Sequence, residues 1–349
     1  MLQFLFSVNI VWSFVCILIY FIVGADPRTF WLFSISSILI PIFFIVNILL
    51  VLFWLIFRWR YLFVPLITLI FGYSHYSKII SFQSEKESEK CKNQSVNIMT
   101  YNIYGLKNIK ISAQQTREHN KSKFISFLRK YDPDILCVQE DNFYADDIIN
   151  KTELFPYFHY EPSHATAIYT KFPILDKGFL DFGTVTNSCV WADVLANGKK
   201  IRIYSVHLAS NRVSSDVEKI TDETKEENAE KLSLIRRIMV NYRRNSVHRA
   251  KQSEMIMAHA KTLNYPFVIC GDCNDTAFSY SYEQFEKGCK DSFIECGDGI
   301  GSTYIGALPG LRIDYIFGDK KTIEFCSHKV LSSTFSDHNP VFVKLFSKI

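Results

Sequence analysis

The chain has 349 residues, 48% of them hydrophobic, with 39 basic and 35 acidic side chains and a formal net charge of +4. Up to residue 80 the only charges are Asp26, Arg28, Arg58, Arg60 and Lys78, and setting them aside leaves the remainder almost neutral. That balance argues against a protein held to nucleic acid by nonspecific attraction to phosphate, which needs a clear basic excess.

The first 80 residues are apolar and aromatic, and two runs, Leu2 to Val23 and Phe30 to Phe57, exceed the roughly 20 residues a membrane span needs. A third run from Tyr61 to about Ile80 is diluted at its end by Tyr73, Ser74, His75 and Tyr76. The first run lacks the basic start of a cleaved signal peptide and is followed at once by the second, so an anchor of about three helices over 1–80 is expected. Asn9, Asn47 and Pro41 inside these runs read as packing features that neighbouring helices satisfy. Arg58-Trp59-Arg60 forms a basic loop expected to stay cytoplasmic, which puts the N-terminus inside and everything after residue 80 outside. The nine cysteines do not settle the compartment. Cys270 and Cys273 have CxxC spacing but no partner pair for zinc, and Cys137 and Cys270 sit in apolar runs where a thiol is a small buried hydrophobe.

Residues 81–95 are polar and charge-mixed and read as a linker. The remainder, 96–349, alternates strands and helices irregularly, as a mixed-sheet layered α/β fold does. Strands are expected at Val96–Tyr101, Asp134–Val138, Ala165–Thr170, Ile201–Val206, Pro266–Cys270, Ile313–Phe317 and Pro340–Leu345, with helices at Lys121–Arg129 and Leu232–Thr262. Asp216 to Lys231 reads as a charged, solvated helix or loop. The arginines between Arg236 and Lys251 read more readily as a solvated helix face than as a surface for anionic lipid or nucleic acid. No glycine-rich nucleotide loop is present.

Polar residues stand at the ends of several of these apolar strands. Glu140 follows Asp134–Gln139; Asp272 and Asn274 follow Pro266–Cys270, with Gly271 allowing a sharp turn. Asp314 lies inside an apolar run, where an ionised carboxylate is costly unless paired, and His338 in Ser336-Asp337-His338-Asn339-Pro340 is its natural partner. His207 ends a strand, and Asn102 follows Thr100-Tyr101; each is ordinary alone and gains meaning only with the others. Carboxylates, amides and histidines gathered at one sheet edge can hold a hard cation and activate water against a phosphate.

The ordered series Met99-Thr100-Tyr101-Asn102, Val138-Gln139-Glu140, Ala167 to Ile174, Ser205-Val206-His207-Leu208, Gly271-Asp272-Cys273-Asn274-Asp275, Arg312-Ile313-Asp314-Tyr315-Ile316 and Ser336-Asp337-His338-Asn339-Pro340 resembles the endonuclease/exonuclease/phosphatase superfamily. That group includes DNase I-like nucleases, abasic-site endonucleases, inositol polyphosphate 5-phosphatases and neutral sphingomyelinases. The resemblance covers about residues 96 to 349 and implies a four-layer sandwich of two mixed β-sheets flanked by helices, here preceded by a transmembrane helical anchor. It also implies Mg²⁺, with Mn²⁺ as the alternative, held by Glu140 with Asp337 nearby. Asn102 and Asn274 would bind the scissile phosphate or hold the nucleophile; His207, also on the substrate, would stabilise the pentacovalent phosphorus or aid the leaving group; Asp272 would orient or deprotonate the water; Asp314 and His338 would form a dyad. Which of Asp272 and His338 is the base stays open. Tyr104 and His207 depart from the abasic-site branch, and Cys273 replaces a more usual aromatic.

The expected function is a bacterial, membrane-tethered, Mg²⁺-dependent phosphoesterase at the inner or cytoplasmic membrane, with its catalytic domain extracytoplasmic. Its substrate would be a phospholipid headgroup, nucleic acid or sugar phosphate, its other partner the lipid bilayer, and no protein partner is inferable. Two alternatives are a nuclease acting on extracytoplasmic DNA and a noncatalytic membrane scaffold on the same fold. Specificity in such a family lies in loops between shared motifs, so the substrate is not legible.

Overall fold

The structure is a computed structural model that describes residues 1–110, 114–161, 166–184, 187–211, 228–306 and 309–349. Most of the charged stretch expected over Asp216–Lys231 lies outside the described residues. Helix α1 spans Leu2–Ile22, α2 Pro27–Ser36 and α3 Ile40–Phe57, the last two joined by a 3₁₀ turn at Ser37–Leu39. The expected second span is one 31-residue helical stretch, Pro27–Phe57, with this 3₁₀ turn inside it, and Pro41 sits in the first turn of α3, where a missing N–H costs nothing. The third apolar run is not one long helix: α4 covers Phe63–Phe71, Gly72 interrupts it, and α5 covers only Tyr73–Tyr76. Nine residues of α-helix rise about 14 Å, well short of a bilayer core.

These helices form an inside-out bundle. Phe4, Phe14, Phe21, Leu49, Leu52, Leu55 and Ile56 are exposed, whereas Asn9, Ser13, Asn47 and Thr68 are buried. Trp54 Nε1 donates to Asn9 Oδ1 at 2.8 Å, and Asn47 Nδ2 donates to the Phe43 carbonyl at 2.7 Å. Phe6 stacks on Tyr61 at 3.8 Å, so the N-terminus and the Arg58–Arg60 turn share one end of the bundle. Cys16, Tyr20, Val23, Ile40, Phe43 and Tyr76 pack at the other end together with Phe278 of the following domain.

The expected linker is docked rather than free. Strand β1 (Ile80–Phe82) pairs with a strand far along the chain, Asp298–Ile300. Helix α6 (Glu89–Asn93) carries Cys91, which is disulfide-bonded to Cys326. The remaining helices are α7 (Lys107–Lys110), α8 (Gln114–Tyr131), α9 (Phe143–Asn150), α10 (Asn228–Ala260), α11 (Tyr280–Gly288) and α12 (Ser292–Cys296).

Strands β2 (Val96–Asn102), β3 (Ile135–Gln139), β4 (Tyr157–Glu161), β5 (Thr166–Thr170), β13 (Ile323–Val330) and β14 (Val341–Ser347) form one six-stranded sheet, in the order β13-β14-β2-β3-β5-β4. Strands β6 (Ile174–Leu180), β7 (Ser188–Ala196), β8 (Lys199–His207), β9 (Phe267–Asp272), β10 (Cys289–Asp291) and β12 (Asp314–Asp319) form the other, in the order β10-β12-β9-β8-β7-β6. Asp298–Ile300 is β11. The sheets face each other across Ile98, Ile135, Cys137, Ile168, Val190, Ile203, Val268, Cys270 and Ile316. The opposite face of the first sheet packs Met99, Tyr101, Leu136 and Val138 on Phe124, Leu128 and Ile148 of α8 and α9. The opposite face of the second packs Tyr204, Val206, Ile269 and Phe317 on Ile256, Met257 and Phe285 of α10 and α11.

The result is the four-layer sandwich of two mixed sheets flanked by helices. Strands covered on both faces explain why the motifs read as unbroken apolar runs. Burying each large apolar side chain contributes about 1.5–3 kcal/mol, which is what fixes the register of the polar residues at the strand ends.

Candidate active site

Two parallel pairs set the site. β2 lies beside β3 with Asn102 opposite Gln139, and β8 lies beside β9 with His207 opposite Asp272. Parallel neighbours end on the same side of a sheet, so all four C-terminal ends meet at one edge. β12 runs antiparallel to β9 and begins there, with Asp314 opposite Asp272. Gly271 has φ +148°, and a Cβ at that position would lie 2.0 Å from the Val206 carbonyl oxygen. Only glycine lets β8 and β9 close up and bring His207 beside Asp272.

Asn102 Nδ2 donates to Asp272 Oδ2 at 2.9 Å and to Glu140 Oε1 at 3.2 Å, bridging the two sheets. Its own Oδ1 accepts from the Tyr104 N–H at 3.0 Å. Glu140 adopts the left-handed conformation, φ 53°, and the Gly105 N–H holds its carbonyl at 2.9 Å. Such backbone strain persists only where surroundings impose it and often marks a functional position. His207 Nε2 lies 3.9 Å from Glu140 Oε1 and 3.8 Å from Asp272 Oδ2. Both its ring nitrogens are buried without a hydrogen-bond partner, so the imidazole is aimed at the space between those carboxylates.

His338 Nδ1 pairs with Asp314 Oδ2 at 2.9 Å, and its Nε2 lies 3.8 Å from Asp272 Oδ2. Burial alone would lower the pKa of this ring, but the charges of Asp314 and Asp272 prevail and raise it to about 10. Burial, and then the charge of Asp314, push the Asp272 carboxyl above its ordinary range, against the pull of His338 and His207. Burial raises Asp337 as well, with His338 opposing. The Tyr304 ring packs edge-on to His338 at 5.0 Å, and Thr303 Oγ1 accepts from the Asp314 N–H at 3.1 Å.

The structure thus gathers Asn102, Glu140, His207, Asp272, Asp314 and His338 at one edge, with Asp337 next to His338 and acting electrostatically with Glu140. Asn274 stands in the loop just after Asp272. Its N–H donates to Asp272 Oδ1 at 2.8 Å and its Nδ2 to the Leu208 carbonyl at 3.0 Å, clipping the loop after β9 to the loop after β8.

The sequence reading passed over several supports. Gln139 Nε2 donates to Ser205 Oγ at 3.0 Å across the sheets, and Ser336 Oγ lies 2.7 Å from the Asn102 carbonyl oxygen. Arg249, read as part of a solvated basic face, is fully buried: it holds Asp275 Oδ2 at 2.9 Å and the Ala209 carbonyl at 2.9 Å. The strand-to-loop spacing hinted at Gln139 and Ser336, but nothing local marked Arg249, whose partners lie on two other loops. Cys273 is buried in the core beneath α10 and α11, as a packing residue.

Among the described residues, no lysine or arginine forms an ion pair with Glu140, Asp272, Asp314 or Asp337. Four clustered carboxylates balanced only in part by the His338 ring are a donor set suited to a hard divalent ion. Among the described residues, Asp272, Asp314 and His338 each offer a potential donor atom, all within 4.8 Å of one another. In that grouping Asp314 is already committed to His338 Nδ1, whereas the Glu140 carboxylate is more than a third exposed at the mouth.

Two facing mixed sheets with such an edge define a DNase I-like α/β sandwich. The chain belongs to the endonuclease/exonuclease/phosphatase family, whose sequence profile matches residues 99–338. Residues 2–79 match a separate profile described as a domain of unknown function. No curated protein matches the chain significantly. Among solved structures it is similar to the endonuclease/exonuclease/phosphatase from Bacteroides vulgatus, with 18% identity, TM-score 0.53 and coverage of 73% of this chain and 99% of that one. D. rerio TDP2 complexed with single strand DNA product matches at 15% identity and TM-score 0.52, covering 72% and 99%. Bacteroides thetaiotaomicron mannosyl-6-phosphatase matches at 18% identity and TM-score 0.50, also covering 72% and 99%. These likenesses carry the fold. Family membership carries phosphoesterase chemistry in general, for which a divalent metal is typical.

Proposed function

We propose that the protein is a bacterial, membrane-tethered phosphoesterase that uses a divalent metal, Mg²⁺ before Mn²⁺, to hydrolyse a phosphodiester or phosphomonoester. The observation that carries this reading is the bridge Glu140–Asn102–Asp272, flanked by His207 and by the Asp314–His338 pair. Glu140 would hold the metal, with Asp337 and Asp272 as the further carboxylates of the site. The metal, when bound, supplies Lewis-acid stabilisation of charge on the phosphate.

Asp272 orients the attacking water and accepts its proton. His207 donates to a phosphate oxygen, Asn102 holds Glu140 and Asp272 in place through its two Nδ2 hydrogens, and Asn274 keeps Asp272 and the loop beside it in place. His338, held charged by Asp314, faces the phosphate through Nε2 as a donor. Preorganised donors of this kind are each worth about 10²–10³ in rate.

The tether reading rests on α1, of 21 residues, and on the apolar stretch Pro27–Phe57, of 31, together with their exposed apolar and buried polar side chains. The third run returns along α1, Tyr61 beside Phe6 and Tyr76 beside Tyr20, so the N-terminus and Arg58–Arg60 lie at the end away from the domain. The Cys91–Cys326 disulfide fits an oxidising, extracytoplasmic compartment.

The deciding experiment is hydrolysis of phosphoesters by the full-length protein in detergent, with Mg²⁺ and with EDTA. Activity is expected to vanish with EDTA and to fall by about 10²–10⁴ in Glu140→Gln and His338→Asn. Inactivity of the wild type across nucleic acid, lipid and sugar phosphates would instead favour a noncatalytic scaffold. Nicking of plasmid that survives EDTA would sink the metal assignment.

A further inference from the structure

The catalytic edge of the sandwich is the edge seated on the apolar bundle. Phe278, four residues after Asn274, is packed among Cys16, Tyr20, Val23, Ile40 and Phe43, and four residues reach at most about 14 Å. Arg28, in the first turn of α2, pairs with Glu254 of α10 at 2.6 Å and reaches Tyr280 at 3.2 Å. On the other side of the cleft, Arg312, two residues before Asp314, donates to the Lys78 carbonyl at 3.2 Å, where the chain leaves the bundle. The loops that deliver Asp272 and Asp314 therefore both rest on the membrane-facing base.

Helix α10 extends past this edge. Its middle, at Asn245, Arg249 and Gln252, holds the loop after His207, and its C-terminal end runs back along the sheet away from this edge, His259 against Tyr204. The helix has 33 residues, about 50 Å, while the strand that delivers His207 has nine, about 30 Å. The overshoot carries Leu232, Ile235, Met239 and Val240, all exposed, interleaved with exposed Arg236, Arg243 and Arg244. At its base it is continuous with α2: Tyr242 donates to the Ser34 carbonyl at 2.8 Å, and Arg243 lies over the Trp31 ring at 5.4 Å. Apolar residues interleaved with arginine on a helix that continues an apolar bundle are the pattern of an element lying in the bilayer interface and drawn to anionic lipid.

We infer that the cleft opens onto the bilayer surface, that α10 residues 232–244 rest in that interface beside it, and that the substrate is the phosphate-ester headgroup of a lipid in the same leaflet. This rests on the hydrolase reading above and narrows its substrate. Water adds to phosphorus, the P–O bond to the leaving alcohol breaks, and the alcohol leaves with the proton. A nucleic acid would have to enter the same gap against the phosphates of the membrane, with no basic excess to hold it.

The test uses full-length protein in vesicles containing an anionic phospholipid with a fluorescent headgroup, against the water-soluble ester bis(p-nitrophenyl) phosphate, with Mg²⁺. Headgroup release is expected from the wild type. In Leu232→Glu/Ile235→Glu/Met239→Glu, release should fall about tenfold or more, with soluble-ester turnover within about twofold, because that face lies outside the cleft. In Arg236→Glu/Arg244→Glu, release should lose its dependence on the anionic lipid fraction.

Turnover of the soluble ester without headgroup release overturns the inference and leaves the hydrolase standing. Equal losses on both substrates make the face merely structural and also overturn it. Silence on both substrates overturns the inference and confines the hydrolase reading to phosphomonoesters.

Discussion

At the scale of single residues, the site is a set of carboxylates whose neighbours decide their tasks. Asp314 is buried and touches His338 through one oxygen at 2.9 Å, so its role is to fix the ring's tautomer and charge. Asp314→Asn should leave the fold intact and lower kcat by about 10²–10⁴, with a shifted acid or alkaline limb in the pH–rate profile. An unchanged profile would mean the pair is structural. A second histidine gives a stability prediction free of catalysis. His328 is buried on β13 with Nδ1 bonded to Ser292 Oγ at 2.9 Å. Burial pulls its pKa down from 6.5 to about 4, the charge of Asp291 resisting and that of Arg312 assisting. Above 6.5 both folded and unfolded rings are neutral; between 6.5 and 4 only the unfolded ring takes a proton. Stability should therefore fall as the pH drops through that window, by on the order of 3 kcal/mol at its lower end. Urea midpoints from pH 7 to 4 should show a shallower decline in His328→Gln than in the wild type.

At the scale of elements, the parallel pairs β2–β3 and β8–β9 do the positioning, and their closeness has one stringent requirement. Gly271→Ala would place a Cβ 2.0 Å from the Val206 carbonyl oxygen at φ +148°. That change should cost more than about 3 kcal/mol and separate His207 from Asp272, so loss of activity should accompany a lowered Tm. Retained activity at unchanged Tm would show that the two strands can part without harm. The same strands explain what was legible in the sequence. Ile98 and Met99 face opposite layers yet both are apolar, so the buried strands announced themselves as runs, and the polar residues ending them stood out. The linker was misread because its ties are remote: β1 pairs with β11 across more than 200 residues, and Cys91 finds Cys326. The third apolar run reads overlong in the sequence because Tyr73, Ser74, His75 and Tyr76 look like a diluted span end, whereas they form the exit into the domain. Arg249 was missed because one periodic helix carries both exposed arginines and this buried one, and only the tertiary packing distinguishes them.

At the scale of the whole molecule, the attachments of the sandwich to its apolar base include the Arg28–Glu254 pair, the Lys78–Glu286 pair at 2.8 Å, and β1 paired with β11. The two ion pairs are partly exposed and each contributes roughly 0–1 kcal/mol, so they orient more than they bind. The Cys91–Cys326 disulfide closes a loop with a sequence separation of 235 residues around almost the entire catalytic domain. Closing so long a loop restricts the unfolded chain strongly, and removal of a native disulfide typically costs about 2–5 kcal/mol. Cys91→Ser should lower the Tm and leave Cys326 newly reactive to a thiol reagent after unfolding, with activity in the surviving folded fraction unchanged, because the bridge lies outside the polar cleft. The same bond reports the compartment. If the domain faces an oxidising space, protein extracted under alkylating conditions should show both cysteines blocked to the reagent until reductant is added, while the seven remaining cysteines, all buried, react only on denaturation. Recovery of both thiols free from intact cells would place the domain on the reducing side, and the cleft would then face the inner leaflet. The hydrolase chemistry would stand, but the lipid pool available to it would change.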